Sequence, residues 1–129
     1  MGTDLQRDLM RSLNHLATLG AAPLSFKHCP AENIGDLVPP GTFDAVLALD
    51  VLEHVLDEGR ALRGIQRACR TGGWIFIHLP REDDDSTEHV RSYSDEALGR
   101  LADHFTETQI TPCVDELGRK TVWVYGRNP

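Results

Sequence analysis

A continuous apolar run that ends in acidic and histidine residues constrains the fold of this chain most. Residues 43–49 read Phe-Asp-Ala-Val-Leu-Ala-Leu, and the last five are apolar without interruption. This composition is typical of a parallel strand that helices cover on both faces. Asp50, Glu53 and His54 follow the run directly. Since ligands bind beyond the carboxyl ends of parallel strands, these three residues are predicted to lie where a cofactor and a substrate meet.

The rest of the chain alternates between helix and strand patterns. Apolar residues recur at helical spacing in some segments and alternate with polar residues in others. The segments predicted in this way are helices over 5–17, 61–69 and 94–105 and strands over 24–28, 74–79, 109–114 and 121–126. Gly20 and Gly72-Gly73 are predicted to end the first two helices, and Ser94 to cap the third. We therefore predict an α/β fold with a parallel sheet and an antiparallel hairpin at its carboxyl end.

Length, charge and cysteine content exclude several classes of protein. The 129 residues suffice for one domain, and 13 Lys and Arg against 20 Asp and Glu give a net charge of -7. Such a charge repels nucleic acid and anionic membrane surfaces. No segment has the apolar length of a membrane-spanning helix, and the amino terminus lacks the pattern of a secretion signal. The three cysteines show no C-x-x-C spacing, so we expect reduced thiols in a cytoplasmic protein.

Three motifs in a fixed order carry a resemblance to a known family. The strand over 43–49 leads into Leu-Glu-His-Val at 52–55, Thr-Gly-Gly at 71–73 opens the next strand, and His-Val-Arg-Ser-Tyr-Ser follows at 89–94. With these motifs the chain resembles a class I S-adenosylmethionine-dependent methyltransferase of the small-molecule type, a group that includes the quinone-biosynthesis O-methyltransferases. The resemblance implies a Rossmann-like sheet, S-adenosylmethionine as cofactor and a small-molecule acceptor.

The resemblance also implies which residues contact the cofactor. Asp4 matches the acidic residue that holds the ribose hydroxyls, with the start of a helix as its alternative role. Ala31 and Glu32 match the turn that contacts the adenine, although proline stands at its acidic position. Alternatively, they only shape this turn. Leu49 and Asp50 match the turn that covers the cofactor, and capping of the next helical turn is the alternative for Asp50.

On the acceptor side, the candidates are His54, His89 and Arg91. His54 is the candidate catalytic base, because a base with a pKa near neutrality assists methyl transfer to a hydroxyl group; a structural histidine is the alternative. His89 and Arg91 resemble substrate-binding residues of the family, and the Arg91 guanidinium can hold a carboxylate or phosphate with two parallel hydrogen bonds. A salt bridge in a surface loop is the alternative. His54, His78 and His89 with Asp50 or Glu53 are candidates to converge on a divalent metal. No H-x-x-x-H spacing supports such a site, so the sequence predicts no metal.

One element of the family has no counterpart in this sequence. None of the 11 glycines forms a G-x-G motif, whereas the family's glycine-rich loop lets the backbone approach the cofactor closely. We therefore expect a partial, amino-terminally truncated domain over 1–129 that binds S-adenosylmethionine weakly or not at all. A non-catalytic binding or assembly module is the alternative to an enzyme. The missing first strand predicts an unpaired edge on the strand over 43–49, which forms a homodimer or pairs with the strand over 24–28.

Overall fold

The computed structural model describes three stretches of the chain and six single residues. They are residues 1–4, 25–81 and 89–129, with residues 8, 11, 14, 15, 18 and 20 between the first two stretches. The strands are β1 (Gly2–Asp4), β2 (Phe26–His28), β3 (Phe43–Leu49), β4 (Cys69–Pro80), β5 (Thr106–Val114) and β6 (Lys120–Arg127). The helices are α1 (Ile34–Leu37), α2 (Glu58–Ala68) and α3 (Asp95–Ala102), and a 3₁₀ turn (Ala31–Asn33) precedes α1.

The single residues include part of the first predicted helix. Residues 8, 11, 14, 15 and 18 are helical. The Asn14 side chain donates to the Phe26 carbonyl oxygen at 2.6 Å and accepts from the Phe26 N–H at 2.8 Å, which ties this helical residue to β2. The leucines on which the prediction depended lie outside the described residues. Among the described residues, no helix has the length and apolar character needed to cross a bilayer.

Four strands form a mixed sheet in the order β3-β4-β6-β5. β3 and β4 are parallel, with Leu49 opposite His78, and β6 is antiparallel to both β4 and β5. β1 and β2 form a separate parallel pair. The predicted α/β fold with parallel strands and a closing antiparallel hairpin is confirmed. The carboxyl ends of β3 and β4 consequently lie side by side, where the sequence placed the candidate site.

The hydrophobic core lies on one face of the mixed sheet. Alternate residues of β4 and β6 point into it, because successive side chains of a strand face opposite sides. The fully buried members are Ile75, Ile77, Leu79, Val122 and Val124. Leucine and isoleucine side chains of α2 and α3 cover this face. The opposite face carries half-buried aromatic rings. Helices were predicted on both faces of the sheet, and within the described stretches they cover one face.

The boundary between α2 and β4 differs from the prediction. The Asp57 side chain caps α2 by accepting from the Arg60 N–H at 2.9 Å, and the helix ends at Ala68. The Gly72-Gly73 pair therefore does not end the helix, as predicted, but lies in a bulge of β4, where Gly72 has φ 71. A Cβ atom on Gly73 would lie only 2.6 Å from a cysteine sulfur and 2.8 Å from a backbone oxygen. The left-handed φ of Gly72 and the close approach of neighbouring backbone atoms to Gly73 explain why glycine stands at both positions.

One edge of β3 pairs with no strand among the described residues. β3 contacts β4 alone in the sheet order. Leu47 and Leu49 are 59% and 51% exposed, although the apolar sequence of β3 is typical of a central strand. The predicted alternative, in which the strand over 24–28 pairs with this edge, is not observed, because β2 pairs with β1. An edge of this kind presents a row of backbone donors and acceptors to a further strand.

Two glycine-to-alanine substitutions test the contact between α1 and α2. A Cβ atom on Gly64 would lie 2.8 Å from Ile34 Cγ2 and 3.0 Å from the Gly35 nitrogen, whereas a Cβ atom on Gly99 in α3 meets nothing within 4 Å. We expect Gly64→Ala to lower the free energy of unfolding by about 1–3 kcal/mol through overpacking. We expect Gly99→Ala to raise it by about 0.5–1 kcal/mol, because alanine is the better helix former. Denaturant unfolding measures both values, and unchanged stability of Gly64→Ala would contradict the close helix contact.

Candidate functional site

The turn that follows β3 begins with a left-handed residue. Asp50 has φ 50, a conformation that aspartate tolerates better than most residues. Its N–H donates to the His78 carbonyl oxygen at 3.2 Å, and its Oδ1 lies 2.8 Å from His78 Nδ1. The carboxylate thus contacts the end of β4. From the sequence, His78 is a candidate only as a metal ligand beside Asp50 or Glu53, and its direct contact with the Asp50 carboxylate is seen in the structure.

Arg91 fixes the turn over residues 52–56. Its guanidinium donates to the carbonyl oxygens of Val55 at 2.6 Å and Leu56 at 3.2 Å, and to that of Leu52. These carbonyl groups lie in a turn outside the helices and strands, and the guanidinium meets their need for hydrogen bonds. Arg91 therefore has a structural role in holding the turn. The contact with a substrate anion that the family resemblance implies stays a prediction.

Two further contacts hold residues 89–93 against the turn. The Val90 N–H donates to the Glu53 carbonyl oxygen at 2.8 Å. Tyr93 is 2% exposed, and its hydroxyl donates to Glu58 Oε1 at 2.5 Å at the start of α2. Burial raises the pKa of the Tyr93 hydroxyl well above its ordinary value, and the hydrogen bond to Glu58 raises it further. The tyrosine therefore stays neutral and anchors the segment that carries His89.

These contacts bring His54 and His89 together. Their ring centroids are 4.8 Å apart, and the rings meet edge to face at 68°. The His54 side chain is 41% exposed, so solvent and small molecules reach it. The two acceptor-side histidines named from the sequence are thus neighbours beyond the carboxyl end of β3. Their roles as base and substrate-binding residue stay predictions.

Glu53 lies beneath the two histidines and is 1% exposed. Its Oε1 is 4.0 Å from His54 Nε2, and its Oε2 has no hydrogen-bond partner among the described residues. Burial raises the pKa of the Glu53 carboxyl, and the negative charge of Asp50 adds to the rise, while both histidines oppose it. One ligand atom from each of Glu53, His54 and His89 lies within 4.8 Å of the others. The sequence predicted no metal site, yet these three side chains form a cluster able to hold one.

The turn after β2 reaches the same place. Glu32 Oε1 accepts from the Leu56 N–H at 3.3 Å, and the Glu32 carbonyl oxygen accepts from Arg60 Nε at 2.9 Å. Ala31 packs against the edge of the core. These contacts agree with the alternative in which both residues shape the turn. They also place Ala31 and Glu32 beside the turn that follows β3, while their predicted contact with adenine stays a prediction.

The other predicted cofactor residues lie at strand ends. Asp4 is the exposed last residue of β1, opposite His28 at the end of β2. Its carbonyl oxygen accepts from the Cys29 N–H at 3.0 Å. Leu49 is the half-exposed last residue of β3. Asp4 therefore belongs to a strand, and ribose binding by Asp4 stays a prediction.

Comparison with known proteins identifies relatives of this chain. The model of a family described as a methyltransferase domain matches residues 7–122. A ubiquinone biosynthesis O-methyltransferase from Chromobacterium violaceum is 28% identical over 125 residues, which cover 80% of this chain and 52% of that protein. The chain thus spans about half the length of this curated relative.

Solved structures share the fold at low sequence identity. A SAM-dependent methyltransferase from Thermotoga maritima superposes with a TM-score of 0.77 at 15% identity, covering 100% of this chain and 73% of that one. The 1,6-didemethyltoxoflavin-N1-methyltransferase from Burkholderia thailandensis gives 0.77 at 21% identity, covering 98% and 59%. That enzyme was solved with 1,6-didemethyltoxoflavin and S-adenosylhomocysteine bound. At these identities the likeness establishes a common fold.

Proposed function

The chain belongs to the methyltransferase-domain family, and from this membership we propose that it transfers a methyl group from S-adenosylmethionine to a small-molecule acceptor. The observation that carries the proposal is the cluster of Glu53, His54 and His89 beyond the carboxyl end of β3. Ligands of open parallel sheets bind at such strand ends. We propose an oxygen acceptor, because the curated relative is named as an O-methyltransferase.

Methyl transfer depends more on the alignment of donor and acceptor by the protein than on their chemical activation. The sulfonium group of the cofactor supplies the reactivity, and the enzyme holds donor and acceptor for an in-line displacement. The acceptor oxygen forms a bond to the methyl carbon, the sulfur–methyl bond breaks, and S-adenosylhomocysteine leaves. We assign the acceptor proton to His54, which is exposed enough to meet a hydroxyl group. His89 contacts His54 edge-on, and Arg91 holds the turn in place.

The cofactor is proposed to lie along the strand ends that carry Asp4, Ala31, Glu32, Leu49 and Asp50. Asp4 would accept from the ribose hydroxyls, and the two turns would enclose the adenine and the methionine portion. Binding is expected to be weak, because the sequence has no G-x-G motif to bring the backbone close to the cofactor. The proposed domain extends over residues 1–129.

Calorimetric titration with S-adenosylhomocysteine tests the cofactor site. We expect saturable binding with a Kd on the order of 0.1–1 mM, or about -4 to -5.5 kcal/mol. Asp4→Asn should weaken it about tenfold, because the amide replaces a charged acceptor by a neutral group. Asp103→Asn is the matched control, since Asp103 is an exposed aspartate at the carboxyl end of α3. Absence of binding at millimolar concentration, or equal affinity of Asp4→Asn and the control, would contradict the assignment.

A second candidate function is a non-catalytic assembly module. The observation that favours it is the unpaired edge of β3 among the described residues, with the apolar Leu47 and Leu49 exposed. Together with weak cofactor binding, such an edge suits a protein whose fold is kept for association, and the proposed partner is a second copy of the chain. The described cysteines are free thiols, which supports a cytoplasmic location.

A further inference from the structure

We propose that Glu53, His54 and His89 bind a divalent transition-metal ion. The three ligand atoms already lie within 4.8 Å of one another. Atoms that bind zinc at about 2.1 Å lie about 3.4 Å apart in a tetrahedral site. Movements of little more than 1 Å would therefore close the cluster around an ion, and the exposed His54 ring has room to make them.

An unsatisfied atom provides an independent reason for a ligand. Glu53 is 1% exposed, and its Oε2 has no hydrogen-bond partner in the described part of the chain. Nearly all buried polar atoms of folded proteins have a partner, so an orphaned carboxylate oxygen needs an explanation. A cation placed between this carboxylate and the two imidazoles would provide the missing partner. It would also favour the ionised carboxylate, which burial alone disfavours.

The surroundings hold the ligands without using their side-chain atoms. The Val90 N–H contacts the Glu53 carbonyl oxygen, and the guanidinium of Arg91 holds the carbonyl groups on both sides of Glu53 and His54. His89 directly precedes Val90, so these hydrogen bonds fix both ligand-bearing segments relative to each other. Metal sites depend on such outer contacts to orient their ligands. The cluster is therefore a built arrangement and not three unrelated surface residues.

The donor set selects the class of ion. Two imidazole nitrogens and one carboxylate oxygen suit zinc, iron, cobalt or manganese, whereas magnesium and calcium prefer oxygen ligands throughout. Three protein ligands leave at least one coordination position open, as in catalytic metal sites. The His54 side chain is 41% exposed, so the cluster is open to solvent. A small oxygen ligand therefore has a route to the ion.

The role of the ion rests on the proposed function. An acceptor hydroxyl bound to the ion has a lowered pKa and loses its proton to solvent. An oxygen lone pair then forms the bond to the methyl carbon as the sulfur–methyl bond breaks. A His54 nitrogen that binds the ion cannot take this proton, so the ion would replace His54 as the activating group. The acceptor class is then a hydroxylated small molecule that can reach a metal ion.

Titration of the metal-free protein with cobalt(II), followed by its visible absorption bands, tests the site without any turnover. We expect one strongly bound ion per chain with nitrogen and oxygen ligands. His89→Ala and Glu53→Gln should each weaken binding by about tenfold to a hundredfold, the loss that even outer-shell changes produce. His104→Ala is the matched control, because His104 is exposed and lies at the end of α3, away from the cluster.

Two results would overturn the proposal. One is the absence of cobalt bands in the wild-type protein, and the other is equal affinity of His89→Ala and His104→Ala. Circular dichroism checks that each variant is folded, and His89→Ala remains informative if Glu53→Gln is unfolded, because His89 lies outside the helices and strands. S-adenosylhomocysteine titration of the same variants separates the hypotheses. Cofactor binding without cobalt binding removes the metal site and leaves the proposed function standing.

Discussion

Substitution of His54 by alanine is expected to lower turnover on a hydroxyl acceptor by about a hundredfold or more, the usual size of a general-base effect. The physical reason is the position of the ring, which is 41% exposed beyond the carboxyl end of β3 and in edge-to-face contact with His89. Initial rates with S-adenosylmethionine and a panel of small hydroxylated acceptors measure the effect. The affinity for S-adenosylhomocysteine should stay unchanged, because His54 is assigned to the acceptor.

The control for this substitution is His104→Ala, an exposed histidine away from the cluster. Its turnover should equal that of the wild-type protein. Equal turnover of His54→Ala would remove His54 from the mechanism, both as base and as metal ligand. Removal of metal by a chelator separates the two roles. A chelated wild-type protein that is as slow as His54→Ala assigns the ligand role, whereas an unchanged rate assigns the base.

The sequence predicted the strands well because their signals are local. Burial alternates along β4 and β6, and the apolar run of β3 is typical of a central strand even though Leu47 and Leu49 are exposed among the described residues. The end of α2 was misplaced, because a glycine pair signals a helix end and a strand bulge equally well. Only the neighbouring strand, whose backbone oxygen approaches Gly73, decides between the two.

The candidate site was predictable in position and not in detail. Strand-end placement identified His54, and the family resemblance identified His89, but neither predicted that their rings touch. That contact depends on hydrogen bonds from Val90 and Arg91 to a turn far away in the sequence. For the same reason, no residue spacing could reveal the cluster with Glu53, since its members come from two separate segments. Burial of the Glu53 carboxylate without a partner became visible only in three dimensions.

The edge of β3 that no described strand covers leads to the second large expected effect, which is self-association of the chain. An apolar strand whose backbone groups lack a neighbour tends to pair with another strand, and a second copy provides an identical edge across a two-fold axis. We expect sedimentation over a concentration series to show a reversible dimer at micromolar concentration. The series is run with and without S-adenosylhomocysteine, because Leu49 belongs both to the exposed edge and to the proposed cofactor site.

Leu47→Lys tests the edge directly. Leu47 is 59% exposed on β3, and a lysine there opposes strand addition, because its charge would have to be desolvated in the new sheet. We expect the dimer dissociation constant to rise at least tenfold. Leu117→Lys is the matched control, because Leu117 is 78% exposed in the turn between β5 and β6 and should not affect association. A wild-type chain that stays monomeric at all concentrations and binds cofactor with micromolar affinity would contradict both the dimer and the weakened cofactor site. In that case the edge is already covered within the chain, and the assembly function loses its basis in favour of the enzyme.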